Sequence, residues 1–223
     1  MIKVNQITAI AQAERLKKRI DIGGICISRQ VAPQPPYLSF ETALALRQAL
    51  PGLSLSVSFC RDDGFETAEM LEILTAVKAD FFEFTPIDFA KTELFEAQLE
   101  KLGQLNFRKI ANGFFILTDD FGFIRETNPY QKMRQIGVEL FQFEIESAVD
   151  PIDKIEAAKL VEVESFFNQL PVLVTDKITR VQDYPIQSVK GFFFNILPAK
   201  RQMNYDYSTL NWRESEITRV LMR

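Results

Sequence analysis

The 223-residue sequence predicts an α/β fold, a single (β/α)₈ (TIM) barrel domain that spans residues 1–223. Strand-like and helix-like stretches alternate along the whole chain, which is the pattern of successive parallel βα units. Eight such units can be counted, and no long linker or shift in composition divides them. The main rival is a doubly wound open sheet, which usually has fewer strands at this length.

The eight predicted strands are short stretches in which apolar residues alternate with others or follow one another without a break. They lie at residues 2–7, 22–28, 53–60, 81–85, 107–117, 140–146, 172–176 and 190–196. The fifth, "FRKIANGFFIL", is either one long strand or two short strands around Asn112 and Gly113.

Helical spacing of apolar residues fills the intervals between the predicted strands. The predicted helices lie at residues 8–20, 39–50, 62–79, 88–103, 128–137, 150–170, 178–188 and 211–223. Ser39 is the expected N-cap of the second helix, and Asp150 is that of the sixth, with Pro151 in its first turn. The helix at 178–188 is expected to be short and broken by Pro185.

The composition argues against several kinds of function. The chain has no histidine and two cysteines, which removes Ser-His and Cys-His catalysis and the usual zinc sites. It also has no P-loop, dinucleotide glycine fingerprint or EF-hand, and neither a metal nor a cofactor is expected. The net charge is −4, and no nucleic-acid partner is expected. The sequence has neither a membrane-length apolar run nor a signal-peptide pattern, so we expect a cytoplasmic protein with no membrane partner. Cys26 and Cys60 are expected to be reduced.

Side-chain alternation places polar groups inside the predicted barrel. On the first strand Lys3 and Asn5 face opposite to Ile2, Val4 and Gln6, and the third, fourth and sixth strands repeat this division. Since the apolar sets belong against the outer helices, the polar sets must face inward. The expected interior charges and amides are Lys3, Asn5, Glu83, Lys109, Gln142 and Glu144. Unpaired buried charges are costly, so Lys3 is expected to pair with Glu83 or Glu144.

Two interpretations of this polar interior remain open. It forms a structural layer of ion pairs and hydrogen bonds, or its upper part lines a ligand pocket. The carboxyl ends of the strands build the active face of such a barrel, so residues near those ends are the pocket candidates. They are Asn5, Ser28, Cys60, Thr85, Glu146, Asp176 and Asn195.

Four segments carry a family resemblance in their order and spacing. "KVNQIT" (3–8) is similar to K-x-C-G-I-T, and "PPYLSFETA" (35–43) to R-Y-I-S-P-E-x-A. "FEFTP" (82–86) stands where the same family has V-Q-L-H-G, and "FNILPAKRQMNYDYSTL" (194–210) where it has S-S-G-V-E…G-x-K-D. The chain thus resembles phosphoribosylanthranilate isomerase, a (β/α)₈ enzyme of tryptophan biosynthesis, with many of the diagnostic residues changed.

The resemblance implies an Amadori rearrangement with a cysteine base on the first strand and an aspartate acid on the sixth. Matched by position, the base becomes Asn5, which cannot accept a proton, and the acid becomes Glu144 or Glu146. The glycine turns that hold phosphate correspond to "TDKITR" and "NILPAK", which contain no glycine. Anion binding would then depend on side chains, namely Lys177, Arg180, Lys200 and Arg201.

Three functions are compatible with these residues. The first is a diverged isomerase relative that has lost the activity and binds a small-molecule ligand at the C-terminal face of the barrel. The second is an active aldose–ketose isomerase that uses Glu144 or Glu146 as acid. Its substitute base would be Lys3 or Cys60, whose thiol Arg61 would activate. The third is a non-catalytic interaction or assembly protein, whose helices would form a homo-oligomer. A monomer or a homodimer is expected.

Overall fold

The computed structural model describes residues 1–117, 121–146, 148, 156–177, 181, 184–196 and 211–222. The strands of this part of the chain are β1 (Ile2–Asn5), β2 (Ile22–Ile27), β3 (Tyr37–Leu38), β4 (Ser54–Phe59), β5 (Phe81–Phe84), β6 (Arg108–Ile116), β7 (Val138–Ile145), β8 (Val172–Thr175), β9 (Gly191–Ile196) and β10 (Asn211–Trp212). Eight of these strands form a closed parallel ring in the order β1-β2-β4-β5-β6-β7-β8-β9, with β1 paired to β9. This ring confirms the predicted (β/α)₈ barrel.

The remaining two strands are short additions to the ring. β3 pairs with β2, and β10 pairs with β9, both in parallel orientation. The sequence did not indicate either strand. That residues 1–223 form one domain stays a prediction.

In the part of the chain that the structure describes, at least one helix follows each barrel strand except β8. They are α1 (Ile10–Leu16), α2 (Phe40–Ala49), α3 (Thr67–Ala76), α4 (Thr92–Gly103), α5 (Gly122–Arg125), α6 (Asn128–Gln135), α7 (Ala157–Phe167) and α8 (Glu214–Leu221). Ser39 caps α2 as predicted, since its hydroxyl accepts a hydrogen bond from the Thr42 amide at 3.3 Å. The predicted cap Asp150 lies outside the described residues. Where 178–188 is described, at 181 and 184–188, the chain is not helical.

The fifth predicted strand is one continuous strand with irregular pairing. The register of β6 against β7 shifts between Lys109 and Ile110 and again between Ala111 and Phe114. Gly113 has φ +83°, a conformation that glycine adopts without a steric penalty. Such a bulge changes where the neighbouring side chains point. Here Asn112 lies inside the barrel, where its amide contacts Glu83.

Two apolar clusters hold the barrel. The larger one lies between the strands and the helices and contains residues predicted to face outward, among them Val4, Leu55, Phe82 and Phe143. The smaller one, which we call the apolar plug, fills the N-terminal part of the barrel interior. Its members each come from a different strand and are Ile22, Phe81, Ile110, Leu140, Leu173 and Phe193. Such a layered interior is typical of (β/α)₈ barrels.

Candidate functional site

Six polar side chains form one hydrogen-bonded layer inside the barrel, on the C-terminal side of the apolar plug. We call this layer the floor network, and its members are Lys3, Asn5, Ser56, Glu83, Asn112 and Gln142. The Lys3 side chain is fully buried, and its ammonium donates to Glu83 Oε2 at 2.7 Å and to Gln142 Oε1 at 3.3 Å. It also donates to Asn5 Oδ1. The prediction that Lys3 pairs with Glu83 or Glu144 is confirmed for Glu83.

Both oxygens of the Glu83 carboxylate are fully used. Oε2 accepts from Lys3 and from the Ser56 hydroxyl at 2.7 Å, and Oε1 accepts from the Asn112 and Gln142 amides at 2.8 and 2.6 Å. Burial favours the neutral acid, but the Lys3 ammonium and these hydrogen bonds together hold the pKa of Glu83 below its ordinary value. Burial lowers the pKa of Lys3, and the Glu83 carboxylate opposes that shift.

Asn5, which the sequence resemblance matches to the isomerase base, belongs to the same network. Its amide nitrogen donates to Gln142 Oε1 at 3.0 Å and to Asn195 Oδ1 at 2.9 Å, while its oxygen accepts from Lys3. Gly24 on β2 makes this arrangement possible, because a Cβ at that position would collide with the Asn5 amide oxygen. Both amide hydrogens and the oxygen are engaged, and an amide has no basic atom to take up a proton.

A cavity of about 750 Å³ opens above the floor network, at the carboxyl ends of the strands. Its base includes Asn5, Glu83, Asn112 and Gln142. Its wall combines polar, sulfur-containing and aromatic side chains, among them Gln6, Cys26, Tyr37, Phe115, Glu144 and Asn195. Arg61 and Asp62, from a 3₁₀ turn at Arg61–Asp63, bring one charge of each sign to its rim. A concave site of this size and mixed lining is suited to a small organic molecule.

Four of the predicted site residues line this cavity. They are Asn5, Thr85, Glu144 and Asn195. Glu144 is 5% exposed and lies on β7, in register with Phe115 on one side and Thr175 on the other. The Thr85 hydroxyl donates to Asn112 Oδ1 at 2.6 Å and so joins the wall to the floor network. Strand alternation was sufficient to identify this group.

Other predicted site residues are not among the described residues that line the cavity. Lys3 is enclosed by the floor network, and Cys60 is buried just after β4, where its amide donates to the Ile27 carbonyl. Ser28 is buried in the turn that follows β2, and its hydroxyl accepts from the Gln30 amide at 3.2 Å. Glu146 is exposed beyond the end of β7. Ser28, Cys60 and Glu146 lie beyond the ends of their strands, where alternation no longer predicts which way a side chain faces.

Asp176 is fully buried and links two loops. Its carboxylate accepts from the amides of Ala148 and Lys177, at 2.7 and 2.6 Å, and from the Tyr184 hydroxyl at 3.2 Å. Burial, together with the Asp176 charge, raises the pKa of Tyr184 well above its ordinary value. These contacts give Asp176 a structural role and keep it off the cavity wall.

Of the four predicted anion-binding side chains, Lys177 is the one that the structure describes. It is exposed at the end of β8. Arg180, Lys200 and Arg201 lie outside the described residues, so this group stays a prediction.

The prediction that Lys109 points into the barrel is wrong. Its ammonium donates to the carbonyls of Leu105 and Phe107, at 2.7 and 2.9 Å, in the loop that precedes β6. The inward positions of β6 are Ile110 and Asn112, which leaves Lys109 on the other face of the strand. Burial there lowers its pKa.

Gln6 lines the cavity, although the sequence placed it on the outer face with Ile2 and Val4. Its φ of +62° puts it in the left-handed region, and β1 ends at the residue before it. The next residue, Ile7, is fully buried in the outer core, where its amide donates to the Gly24 carbonyl at 3.0 Å. The left-handed turn reverses the alternation, so that Asn5 stays inside and Ile7 reaches the outer core.

One signal in the sequence points to this turn. Ile7 is apolar but out of phase with Ile2 and Val4, and regular alternation cannot place all three on one face. The isomerase motif that resembles this segment has glycine at the position of Gln6. Cys26 was missed as well, although it alternates with Gly24 on β2 and therefore shares the inner face.

Two features are absent from the described residues. No group of three or more Cys, Asp or Glu side chains is arranged so that it could hold a metal ion. No helix in this part of the chain has the length and apolar character needed to cross a membrane.

Solved structures of known enzymes share this architecture. Monomers generated from the dimeric phosphoribosylanthranilate isomerase of Thermotoga maritima align with a TM-score of 0.56 at 9% identity, over 90% of this chain and 91% of that one. The chain has the fold of that isomerase. Type I 3-dehydroquinate dehydratase from Clostridium difficile aligns with a TM-score of 0.56 at 14% identity, over 99% and 90% of the two chains.

A third barrel, tryptophan synthase from Mycobacterium tuberculosis, aligns with a TM-score of 0.56 at 12% identity, over 87% of this chain and 81% of that one. At these identities the likeness concerns the fold. No protein-family model and no curated protein sequence matches the chain. The function therefore has to be argued from the cavity itself.

Proposed function

We propose that the protein binds a small polar metabolite in the cavity above the floor network and lacks phosphoribosylanthranilate isomerase activity. The state of Asn5 is the observation that carries this proposal. Asn5 stands at the position of the isomerase base, and its amide is held by Lys3, Gln142 and Asn195. A general base must accept a proton from the substrate, which an asparagine amide at this position cannot do.

The construction of the barrel interior supports a binding role. The apolar plug fills the N-terminal part of the interior with six apolar side chains. Apolar side chains are therefore sufficient to pack the interior of this barrel. Above it, the chain carries the cost of burying an ion pair and three amide side chains. Groups held in place by hydrogen bonds to one another form a rigid base for recognising a polar ligand.

Two measurements on the purified protein test the proposal. Fluorescence-monitored turnover of phosphoribosylanthranilate should equal the uncatalysed rate, with the Thermotoga maritima isomerase as the positive control. Thermal unfolding in the presence of a library of polar metabolites should reveal at least one compound that raises the melting temperature, since a ligand that binds the folded state stabilises it. Isomerase turnover, or a complete lack of stabilising compounds, would contradict the proposal.

The second candidate is an aldose–ketose isomerase in which Glu144 transfers a proton. The position of Glu144 favours it, because a carboxyl group on the cavity wall lies where it could exchange a proton with a bound substrate. Of the two cysteines, Cys26 lines the cavity and Cys60 does not. Lys3, the other predicted base, already donates three hydrogen bonds within the floor network.

A matched pair of variants decides whether this candidate holds. If any aldose phosphate is turned over, Glu144→Gln should abolish the reaction, because the amide cannot deliver a proton. Glu146→Gln is the control, since Glu146 is exposed just beyond the same strand. Equal activity of both variants would exclude Glu144 as the acid.

Assembly and anion binding are the remaining parts of the proposal. We expect a monomer or a homodimer, which light scattering distinguishes directly. We also expect Lys177, Arg180, Lys200 and Arg201 to attract any anionic group of the ligand. An assembly role without a ligand would be favoured if the metabolite library gave no stabilisation and a larger oligomer formed.

A further inference from the structure

We infer that Gln6 is a ligand-binding residue whose amide oxygen accepts a hydrogen bond from a hydroxyl or amine group of the bound molecule. This inference rests on the proposed function, and it adds the chemical class of the ligand. The cavity would accordingly take a polyhydroxylated or amine-bearing compound, with a donor group directed at the end of β1.

The first observation is an unsatisfied atom. Gln6 lines the cavity, and its Oε1 atom is buried without a hydrogen-bond partner in the part of the chain that the structure describes. A buried carbonyl oxygen of this kind has lost its contacts with water and gained nothing in return. Because the atom is closed off from water, the side chain has to rotate toward the cavity, where a donor supplied by a ligand would satisfy it.

The second observation is independent of the first and concerns the backbone. Gln6 adopts φ +62°, which costs free energy in most residues other than glycine. The turn itself is needed to place Asn5 inside and Ile7 in the outer core, and glycine would supply it without strain. A glutamine at this position accepts strain, and its side chain is delivered to the cavity. A purely structural role for the turn would not explain why glutamine and not glycine stands at this position.

The third observation is the setting of the amide oxygen. Asn5, the residue before it, is in register with Asn195 on β9, and both line the cavity. The Asn5 and Asn195 side chains are hydrogen-bonded to each other at 2.9 Å. Gln6 therefore extends a row of amide groups along this side of the wall. An acceptor in this position selects for O–H or N–H groups and against ethers, which have no hydrogen to donate.

Two substitutions of Gln6 separate binding from structure. Gln6→Met keeps the length of the side chain and the strained backbone but removes the amide. Gln6→Gly removes both the amide and the strain, so it should unfold at a higher temperature than the parent protein. Gln131→Met, on the exposed part of α6, is the control for the exchange itself.

The probes are D-glucose, D-glucosamine and myo-inositol, each compared with its fully O-methylated counterpart. Affinities come from isothermal titration calorimetry, and melting temperatures from thermal unfolding. At least one hydroxylated probe should bind the parent protein, and its methylated counterpart should not. Binding should weaken about tenfold in both Gln6→Met and Gln6→Gly, as for the loss of one hydrogen bond to a buried acceptor. Gln131→Met should bind like the parent protein.

Several results would overturn the inference. One is unchanged affinity in both Gln6 variants, and another is equal binding of hydroxylated and methylated probes. A third is the failure of all three probes to bind the parent protein. The metabolite library described above decides the proposed function separately, because a compound without donor groups could still stabilise the protein. If Gln6→Met does not fold, Gln6→Gly gives the same answer.

Discussion

The floor network and the Gln6 side chain on the cavity wall above it both contain buried polar atoms, but these atoms differ in how fully they are hydrogen-bonded. In the floor network, the Glu83 carboxylate accepts four hydrogen bonds and the Lys3 ammonium donates three. Near the wall, Gln6 Oε1 and Thr175 Oγ1 are buried without a partner among the described residues. Gln6 directly follows Asn5 of the floor network along the chain.

This difference distinguishes polar groups that are satisfied within the fold from a polar atom that a ligand could satisfy. Buried polar atoms are almost always paired, so a saturated layer is explained by the fold alone. An unsatisfied atom beside a cavity needs another explanation, and a ligand is the simplest one. Substitutions in the floor network should therefore change stability, whereas a substitution at Gln6 should change binding.

The largest expected effect is that of Lys3→Met. The substitution leaves the buried Glu83 carboxylate without its counter-ion, and loss of one partner of a buried ion pair costs about 3–5 kcal/mol of unfolding free energy. The double variant Lys3→Met with Glu83→Gln removes the uncompensated charge and should recover most of that loss. Chemical denaturation of the three proteins measures both differences.

An exposed ion pair provides the control for Lys3→Met. Lys132 on α6 pairs with Glu96 on α4, and both side chains are more than a third exposed. Surface pairs contribute about 1 kcal/mol or less, so Lys132→Met should have a small effect. A cost for Lys3→Met that is no larger than this would mean that the floor network is not the stabilising layer described above.

The next effect is a loss of stability in acid that depends on Glu83. The pKa of Glu83 is held below its ordinary value of 4.5 in the folded protein, so the unfolded chain binds a proton first as the pH falls. The stabilisation is complete above pH 4.5, and it is lost between that pH and the lower folded pKa. The slope from this one group is at most about 1.4 kcal/mol per pH unit.

Denaturation curves between pH 7 and pH 2 isolate this contribution. Glu83→Gln cannot titrate, so it should lose less stability than the parent protein across the acidic range. Parallel curves for the two proteins would show that Glu83 has an ordinary pKa. The contrast between the saturated floor network and the unsatisfied Gln6 oxygen would then lose its electrostatic basis.

The sequence predicted the barrel well because the barrel depends on patterns that repeat. Alternation on the predicted strands placed Lys3, Asn5, Glu83, Gln142 and Glu144 inside, and each of them lies there. The resemblance to the isomerase pointed to the same fold. Both kinds of argument use many residues at once, so a local irregularity does not alter their result.

The parts of the site that were not predicted depend on single irregular positions. The left-handed backbone conformation of Gln6 brings this residue to the cavity. Cys60 and Glu146 lie beyond the ends of their strands and do not line the cavity. Lys109 was misplaced because the inward positions of the irregular β6 strand are Ile110 and Asn112. Alternation fixes which face a residue occupies only while the pairing is regular. Sites at strand ends, where pairing stops, are therefore the hardest to derive from sequence.

The smallest expected effect comes from removing a buried hydroxyl that has no hydrogen-bond partner. Thr175 is fully buried on β8, and its hydroxyl has no partner within the described residues. Thr175→Val replaces that hydroxyl with a methyl group of similar shape and removes an unsatisfied polar atom. The variant should be as stable as the parent protein or more stable by up to about 1 kcal/mol.

The control is Thr218→Val on α8, where the hydroxyl donates to the Glu214 carbonyl at 3.0 Å and its loss should be slightly destabilising. Chemical denaturation compares the two, and a Thr175→Val variant less stable than Thr218→Val would mean that the Thr175 hydroxyl is satisfied in solution.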